Sequence, residues 1–389
     1  MKSKKKISDY WFTIEPYVYV GLTNKCALLY NTLDQAIIES DKIEVIDLLR
    51  ETLQKENCGV ILLTKKRYKQ KDINCFVREL REKYMGDIID IALSKGKPVQ
   101  LLPFINYFDT HELYMKHNFS SSKNVLKKLC EISIHLDHST NVTKLIPFLQ
   151  SLPDKLTFVL IGNIETVTNY EVLLSFFDQQ LSPKNIECSY TNVHSLQPAF
   201  ENNFLYRILV QFPINVQKWK DSRRILLNQT LPFEYIFDVS SIEDCQQAEQ
   251  LVEQFKIEKY QLNPVYTGNN IGFFEENVFL TKKDILSSSL SIKDIFSHQA
   301  MNIYDFGNIH IMPNGDAYAN VSHPLLGNIY TDNMLEIVSK EVKEGKSWLR
   351  IRNQAPCNDC IYQWLCPPPS NYEIAIGRPN LCHVKQVTE

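Results

Sequence analysis

Apolar and polar positions change rhythm twice along this chain. Between Tyr17 and Ser40, three short runs of β-branched, aromatic and aliphatic residues are separated by tight polar connections: YVYVGLT (Tyr17 to Thr23), CALLYNT (Cys26 to Thr32) and AIIES (Ala36 to Ser40). That pattern predicts three strands. After Asp41, placed to cap a helix, IEVIDLLRETL sets Ile43, Ile46, Leu49 and Leu53 on one helical face. INCFVRELREKYM predicts a second helix and IIDIALSK a short third. The basic run from Lys65 to Lys71, KKRYKQK, reads as a solvated loop.

From Ser94 the pattern becomes strict alternation. After a lead-in strand at Val99 to Ile105, six apolar runs are interleaved with helical stretches: EISIHLD (131–137), KLTFVLIG (155–162), NIECSYT (185–191), YRILVQF (206–212), FEYIFDV (233–239) and KYQLNPV (259–265). Thr168 with Glu171, and Ser241 with Asp244, have the spacing of helix-capping pairs. Strand and helix in alternation imply parallel βαβ units with right-handed crossovers, and six units suggest an open partial barrel. A doubly wound dinucleotide-binding sheet is less favoured, because no G-x-G-x-x-G follows any of the strands. Near Met301 the rhythm changes again. Asn314-Gly315 sits between two alternating segments as a hairpin signal, a helix is predicted over Met334 to Val342, and a cysteine-rich stretch with Pro367, Pro368 and Pro369 follows. The expected organisation is α/β in three parts: 1–98, a winged-helix-like module; 99–300, a six-unit partial (βα) barrel; and 301–389, a cysteine-rich domain.

Composition narrows what such a chain can do. With 389 residues, 44% of them hydrophobic, and a net charge of -3, there is length for a large core and no basic footprint for nucleic acid. The basic start, MKSKKKIS, is not followed by the apolar region of a signal peptide, and no apolar run approaches a membrane span, so a cytoplasmic protein is expected. In that compartment ten cysteines read as thiols or metal ligands rather than as a disulfide frame. Cys26, Cys58, Cys75, Cys130, Cys188 and Cys245 are scattered singly and read as buried structural thiols. Cys357, Cys360, Cys366 and Cys382 lie in one short stretch, close enough for a knot of backbone to converge on one ion or cluster. Four thiolates suit structural zinc and an iron–sulfur cluster alike, and spacing separates the two only in part, since zinc ribbons generally use two C-x-x-C knuckles and this chain has one. His383, adjacent to Cys382, is expected to point away.

The block GNIHIMPNGDAYAN, then PLLGNIYTDNMLEIV, Trp348, C-x2-C-x5-C and a late cysteine resembles the SPASM domain that follows the partial barrel of radical SAM peptide-modifying enzymes. The strand-then-helix order of residues 1–98 resembles the peptide-recognition domain of enzymes that act on ribosomally made peptides. The resemblance implies two auxiliary [4Fe-4S] clusters, but the ligands of the first are missing together: Asn320 stands five positions after Gly315, and Ser370 stands where the next cysteine belongs. All four ligands of the second, Cys357, Cys360, Cys366 and Cys382, remain, which implies one cluster with zinc as the alternative. The residues between them, Ile361, Tyr362, Trp364 and Leu365, are expected to form its apolar shell. Replacement of Asn320 or Ser370 is expected to alter neither metal content nor melting temperature. The C-x3-C-x2-C motif that binds the SAM cluster is absent after EISIHLD, where the chain reads HSTNVTKLIPF, and GNIE (Gly162 to Glu165) stands in place of GGEP. The chain therefore resembles the pseudo-radical-SAM SPASM proteins. That likeness implies no SAM cleavage, and a leader-peptide-binding or scaffolding role beside an active radical SAM or other peptide-modifying enzyme. The rival expectation is an enzyme in its own right, using a metal at His135 and Asp137 with Glu165 or His194, or relaying electrons through the terminal cluster.

Overall fold

A computed structural model describes residues 9–100, 125–199, 204–228, 232–344 and 346–384. The three strands expected near the start form as β2 (Val18–Leu22), β3 (Ala27–Asn31) and β4 (Ile37–Ser40), an antiparallel sheet in that order. Alternation decides which side chain goes where. Val18, Val20, Ala27, Leu29 and Ile38 pack against α1 (Ile43–Thr52) and α3 (Lys71–Glu82). Tyr19, Leu28 and Tyr30, on the opposite face, pack against the cysteine-rich loop through Tyr362, Leu365 and Cys366. A small sheet with both faces covered reads as continuous apolar runs, which is the pattern found.

Several local expectations are corrected. A second three-stranded sheet, β5 (Val60–Leu63), β1 (Tyr10–Ile14) and β6 (Gly86–Asp90), lies beside the first, so the module holds more strand than a winged helix. The helix expected at IIDIALSK is instead strand β6, drawn into register with β1 (Ile88 opposite Phe12), followed by a 3-10 turn at Ile91–Leu93. Pairing overrode a helical apolar spacing. The basic run at Lys65 forms the short helix α2 (Lys65–Tyr68), capped by Thr64. Asp41 does not cap α1; its carboxylate pairs with Lys42 Nζ at 2.9 Å. Of the six scattered cysteines expected to be buried, Cys188 is, Cys26 and Cys245 are half-buried, and Cys58, Cys75 and Cys130 are exposed. The lead-in strand expected at Val99 to Ile105 falls mostly outside the described residues.

The six alternating runs form β7 (Glu131–Leu136), β8 (Thr157–Gly162), β9 (Lys184–Ser189), β10 (Leu205–Gln211), β11 (Phe233–Val239) and β12 (Tyr260–Pro264), all parallel and adjacent in sequence order. A doubly wound sheet reverses its order at a switch point, and this one does not. The outer helices are α4 (Val142–Gln150), α5 (Tyr170–Asp178), α6 (Val216–Asn228) and α7 (Ile242–Phe255), while β9 and β10 are joined through 3-10 turns. Ser241 caps α7 as its spacing suggests. Thr168 caps nothing, because Asn169, in the left-handed region, precedes α5. Ile134, Leu160, Ile208 and Phe237 face the helices in one core with Leu145, Phe177 and Trp219. Three short helices, α8 (Ile271–Asn277), α9 (Lys282–Ser287) and α10 (Ile292–Ala300), lead out of the last parallel strand. The Asn314-Gly315 hairpin forms between β13 (Asn308–Ile311) and β14 (Asp316–Tyr318), and β13 adds in parallel to β7. With β15 (Gly327–Asn328), nine strands make one sheet, which runs across the position where the sequence divides its second and third parts. The helix expected from Met334 follows as α11 (Met334–Glu344). Among the described residues no helix is long and apolar enough to cross a membrane.

Gly21 marks where the cysteine-rich loop meets the N-terminal sheet. A Cβ there would collide with the Ile361 carbonyl oxygen, a backbone atom with nowhere to retreat. Gly21→Ala should therefore destabilise the protein by about 1–3 kcal/mol, read as a lower urea midpoint at unchanged slope.

Candidate four-cysteine centre and adjoining edge-strand groove

Three loops deliver the terminal cysteines. Cys357 opens a 3-10 turn, Cys357–Asp359, whose bond from Cys360 N–H to the Cys357 carbonyl (3.1 Å) sets the first two side by side. A further turn from Tyr362 to Cys366 (3.0 Å) brings in the third. Cys382 arrives from the far end of the sequence, pinned by a β-bridge to Leu280. The thiols of Cys360, Cys382 and Cys357 all act electrostatically on Cys366, and Cys382 acts on Cys357. The four cysteines thus share one neighbourhood. Burial pushes the Cys366 thiol up to about 12 and raises that of Cys357, while the nearby Arg352 guanidinium pulls both back. Arg352 Nη1 points at Cys357 Sγ from 3.9 Å, and Asn380 Nδ2 donates to Cys382 Sγ at 3.1 Å. Both are donors suited to a thiolate. Among the described residues, no three His, Cys, Asp or Glu side chains gather tightly enough for one metal ion. Tyr362 and Leu365 are buried beside Cys366, with Ile361 and Trp364 partly buried around them, and His298 Nδ1 donates to the Trp364 carbonyl at 3.1 Å. His383 turns away, its Nε2 on the Glu275 carbonyl at 2.8 Å.

The positions where the resemblance places a first cluster are also brought together, and they hold a polar network. Asn320 Nδ2 donates to Asp305 Oδ1 (2.9 Å) and to Asn371 Oδ1 (2.5 Å). Arg350 pairs with Asp305 at 3.5 Å and donates to the carbonyls of Pro369 (3.0 Å) and Ser370 (3.2 Å). Ser370 caps α12 (Asn371–Ile376) in a reciprocal box with Glu373, and Glu373 pairs with Arg352 at 2.8 Å. Asn320 is 2% exposed, so the expectation that it is dispensable is corrected: without it the Asp305 carboxylate loses a buried donor.

His135 and Asp137 are not joined in a metal site. Asp137 Oδ1 accepts from Ser139 N–H (2.7 Å) and Oγ (2.6 Å), while His135 Nε2 faces His310 Nδ1 at 3.4 Å across β7 and β13. His310 is the partner that sequence missed; only the β7–β13 register reveals it. Around this pair the inner face of the sheet is mixed: Val159, Ile161, Leu209 and Ile236 share it with Ser133, Glu187, and Arg207 paired to Glu234 at 2.9 Å. Burial raises the Glu187 carboxyl, and burial followed by His135 lowers His310 to about 4.

The second feature is a groove of about 440 Å³ between β4 and α3, floored by Ala27, Ile38, Val45 and Phe76 and closed on one side by Ile361. Among the described residues β4 pairs only with β3, leaving its other edge open. Asn31 N–H bonds the Ala36 carbonyl at 2.9 Å. By antiparallel alternation in the β3–β4 register, Ile37 and Glu39 then aim their main-chain groups outward. Lys83 Nζ, held by Glu79 at 2.7 Å, already occupies the Ile37 carbonyl at 2.6 Å. The walls carry Glu39, Asp41, Asp72 and Glu79 against Lys42.

No family model matches the sequence, and no curated protein matches it. Among solved structures, Streptococcus suis SuiB bound to precursor peptide SuiA aligns over 97% of this chain and 100% of that one, at 11% identity and a TM-score of 0.41. SuiB bound to S-adenosylmethionine aligns over 96% and 99%, at 10% identity and 0.40. Histidine-tagged anSMEcpe with bound AdoMet aligns over 61% of this chain and 84% of that one, at 11% identity and 0.42.

Two outcomes follow for the site. Cys360→Ala should cost both bound metal and stability, whereas Asn320→Ala should keep the metal and lose about 1–3 kcal/mol as a buried carboxylate is left short of a donor; metal analysis with thermal melts separates the two. His310 is harder to protonate folded than unfolded, so the stability it permits should be complete above its ordinary 6.5 and be lost as pH falls toward about 4. The slope should be about 1 kcal/mol per pH unit in that window, and His310→Asn should flatten it in denaturation series at graded pH.

Proposed function

We propose that this chain binds a ribosomally made precursor peptide within a peptide-maturation system, on a radical-SAM-like frame that does not itself cleave S-adenosylmethionine. The observation that carries the proposal is the open edge of β4. Glu39 turns its main-chain N–H and C=O toward a groove with an apolar floor, the arrangement that takes an extended peptide as an added strand. Main-chain bonds there supply affinity and the floor supplies choice. Of the four wall carboxylates, Asp41 is paired with Lys42, Glu79 with Lys83 and Glu39 with Lys282, which leaves Asp72 to meet a basic side chain on the peptide. Lys83 on the Ile37 carbonyl ends the pairing at that residue.

The absence of SAM cleavage is supported by where the thiols are. That chemistry needs three cysteines after the first barrel strand, whereas no cysteine lies between Cys130 and Cys188. Cys130 precedes β7, at the end opposite to that loop. A partner enzyme would then perform the modification on the peptide held here.

Cys357, Cys360, Cys366 and Cys382 would hold one [4Fe-4S] cluster. A zinc ion requires all four sulfurs about 2.3 Å from one point; a cluster, being a body with iron at its corners, accepts thiolates that converge but stand farther apart. Four thiolates in one neighbourhood suit such a cluster, and zinc remains the alternative. With every iron ligated, such a cluster supplies cross-linking and electron relay rather than substrate binding.

Anaerobic purification with metal analysis should give about four irons per chain and broad absorption near ~400 nm, and a colourless protein with one zinc would move the same ligands to the alternative. Incubation with S-adenosylmethionine and a strong reductant should yield no 5′-deoxyadenosine above background. Selection of a displayed random peptide library on the loaded protein should enrich basic, extended sequences whose binding protects β4 from hydrogen exchange; protection confined to other strands would overturn the assignment of the groove.

A further inference from the structure

The cysteine loop and the peptide groove share residues. Ile361, directly after Cys360, forms part of the groove wall beside Ala27 and Ile38. The next residue, Tyr362, donates its hydroxyl to Glu39 Oε1 at 2.7 Å, and Glu39 belongs to the open edge strand. Lys282 clamps the same carboxylate from the other side, Nζ to Oε2 at 2.6 Å, while standing over the Tyr362 ring at 5.7 Å. Beneath them the Ile361 carbonyl rests on Gly21 with no room for a side chain between. So the segment between two of the four thiols also holds the carboxylate of Glu39, whose main chain faces the open edge of β4.

The loop has little regular structure to hold it. Between Cys360 and Cys366 it is kept by turn bonds from Gln363 to Cys360 (3.1 Å), from Leu365 to Tyr362 (2.9 Å) and from Cys366 to Tyr362 (3.0 Å), and by side-chain bonds between Gln363 and the Arg352 carbonyl and between His298 and the Trp364 carbonyl. Ligation of Cys360 and Cys366 would fix both ends of that segment, and with them Ile361 and Tyr362. A peptide strand seated against Ile361 and Glu39 would restrain the same atoms from the groove side.

We infer that metal at the four cysteines and a basic, extended peptide in the β4 groove bind cooperatively, with Ile361 and Tyr362 as the shared element. This rests on the groove and cluster readings above and adds a regulation to them: the protein takes its peptide well only once its metal is in place. Coupling of this kind is reciprocal, so the peptide must slow metal loss by the factor that metal tightens peptide.

The test uses a dye-labelled peptide from the library selection. Its Kd, by fluorescence anisotropy, is measured on loaded wild type, on chelator-stripped wild type and on loaded Tyr362→Phe; release of metal to a chelator is followed with and without peptide. The expected results are weakening of about 5- to 150-fold on stripping, a smaller weakening in Tyr362→Phe at full metal content, and metal retention raised by peptide in wild type more than in that variant. Should stripped protein unfold, the Tyr362→Phe comparison and the retention assay still decide. Equal affinity in all three proteins, or retention indifferent to peptide, overturns the coupling and leaves peptide binding intact. Failure of loaded wild type to select any peptide overturns both.

Discussion

Arg352 is the charge on which the C-terminal end of the molecule depends. Its side chain is 8% exposed, and it pairs with the equally buried Glu373, reaches the carbonyls of Pro367 and Pro368, and points at Cys357 Sγ. Prolines cannot enter a hydrogen-bonding ladder, so a run of three leaves carbonyls that something must satisfy. One guanidinium meets that need on one side and faces buried thiols on the other. Its planar fork makes this possible; an ammonium would reach one partner at a time. With Arg350 and Asn302 on Pro369, the whole proline run is held from beneath, and the cysteine loop is built upon it.

How much of this was legible in the sequence depends on the range of the forces involved. The parallel strands β7 to β11 were legible because strands buried against helices must be apolar in short, regularly spaced runs, and β12, which is largely exposed, by its place in the alternation. The four terminal cysteines stand out because their close spacing is itself the signal. Strand β6 was not: Ile88, Ile89, Ile91 and Leu93 carry a spacing that suits a helix, and only pairing with Phe12 and its neighbours, some 75 residues away, makes Gly86–Asp90 extended. His310 was invisible for the same reason. The strand pairing that sets it against His135 joins residues 175 positions apart.

Asn320 and Ser370 teach a different lesson. Read as missing cysteines they are losses, yet their neighbourhoods form a connected ionic network with Asp305, Arg350, Asn371 and Glu373. Half-satisfied polar networks are costly in a protein interior, and this one is held by paired charges and amides while Arg350 Nε stays without a hydrogen-bond partner among the described residues. At these two positions carboxylates, amides and guanidinium groups hold the loops together.

The continuity of the nine-stranded sheet bears on how the chain is made and how it fails. Strand β13 lies about 170 residues after β7 and yet covers its edge along Asn308 to Ile311. During synthesis that edge, backed by Ile132 and Ile134, stays open until the last quarter of the chain has emerged. An unpaired parallel edge is a template for the wrong neighbour. A shortened chain ending before β13 would keep the opening permanently, which makes self-association, rather than simple instability, its characteristic defect.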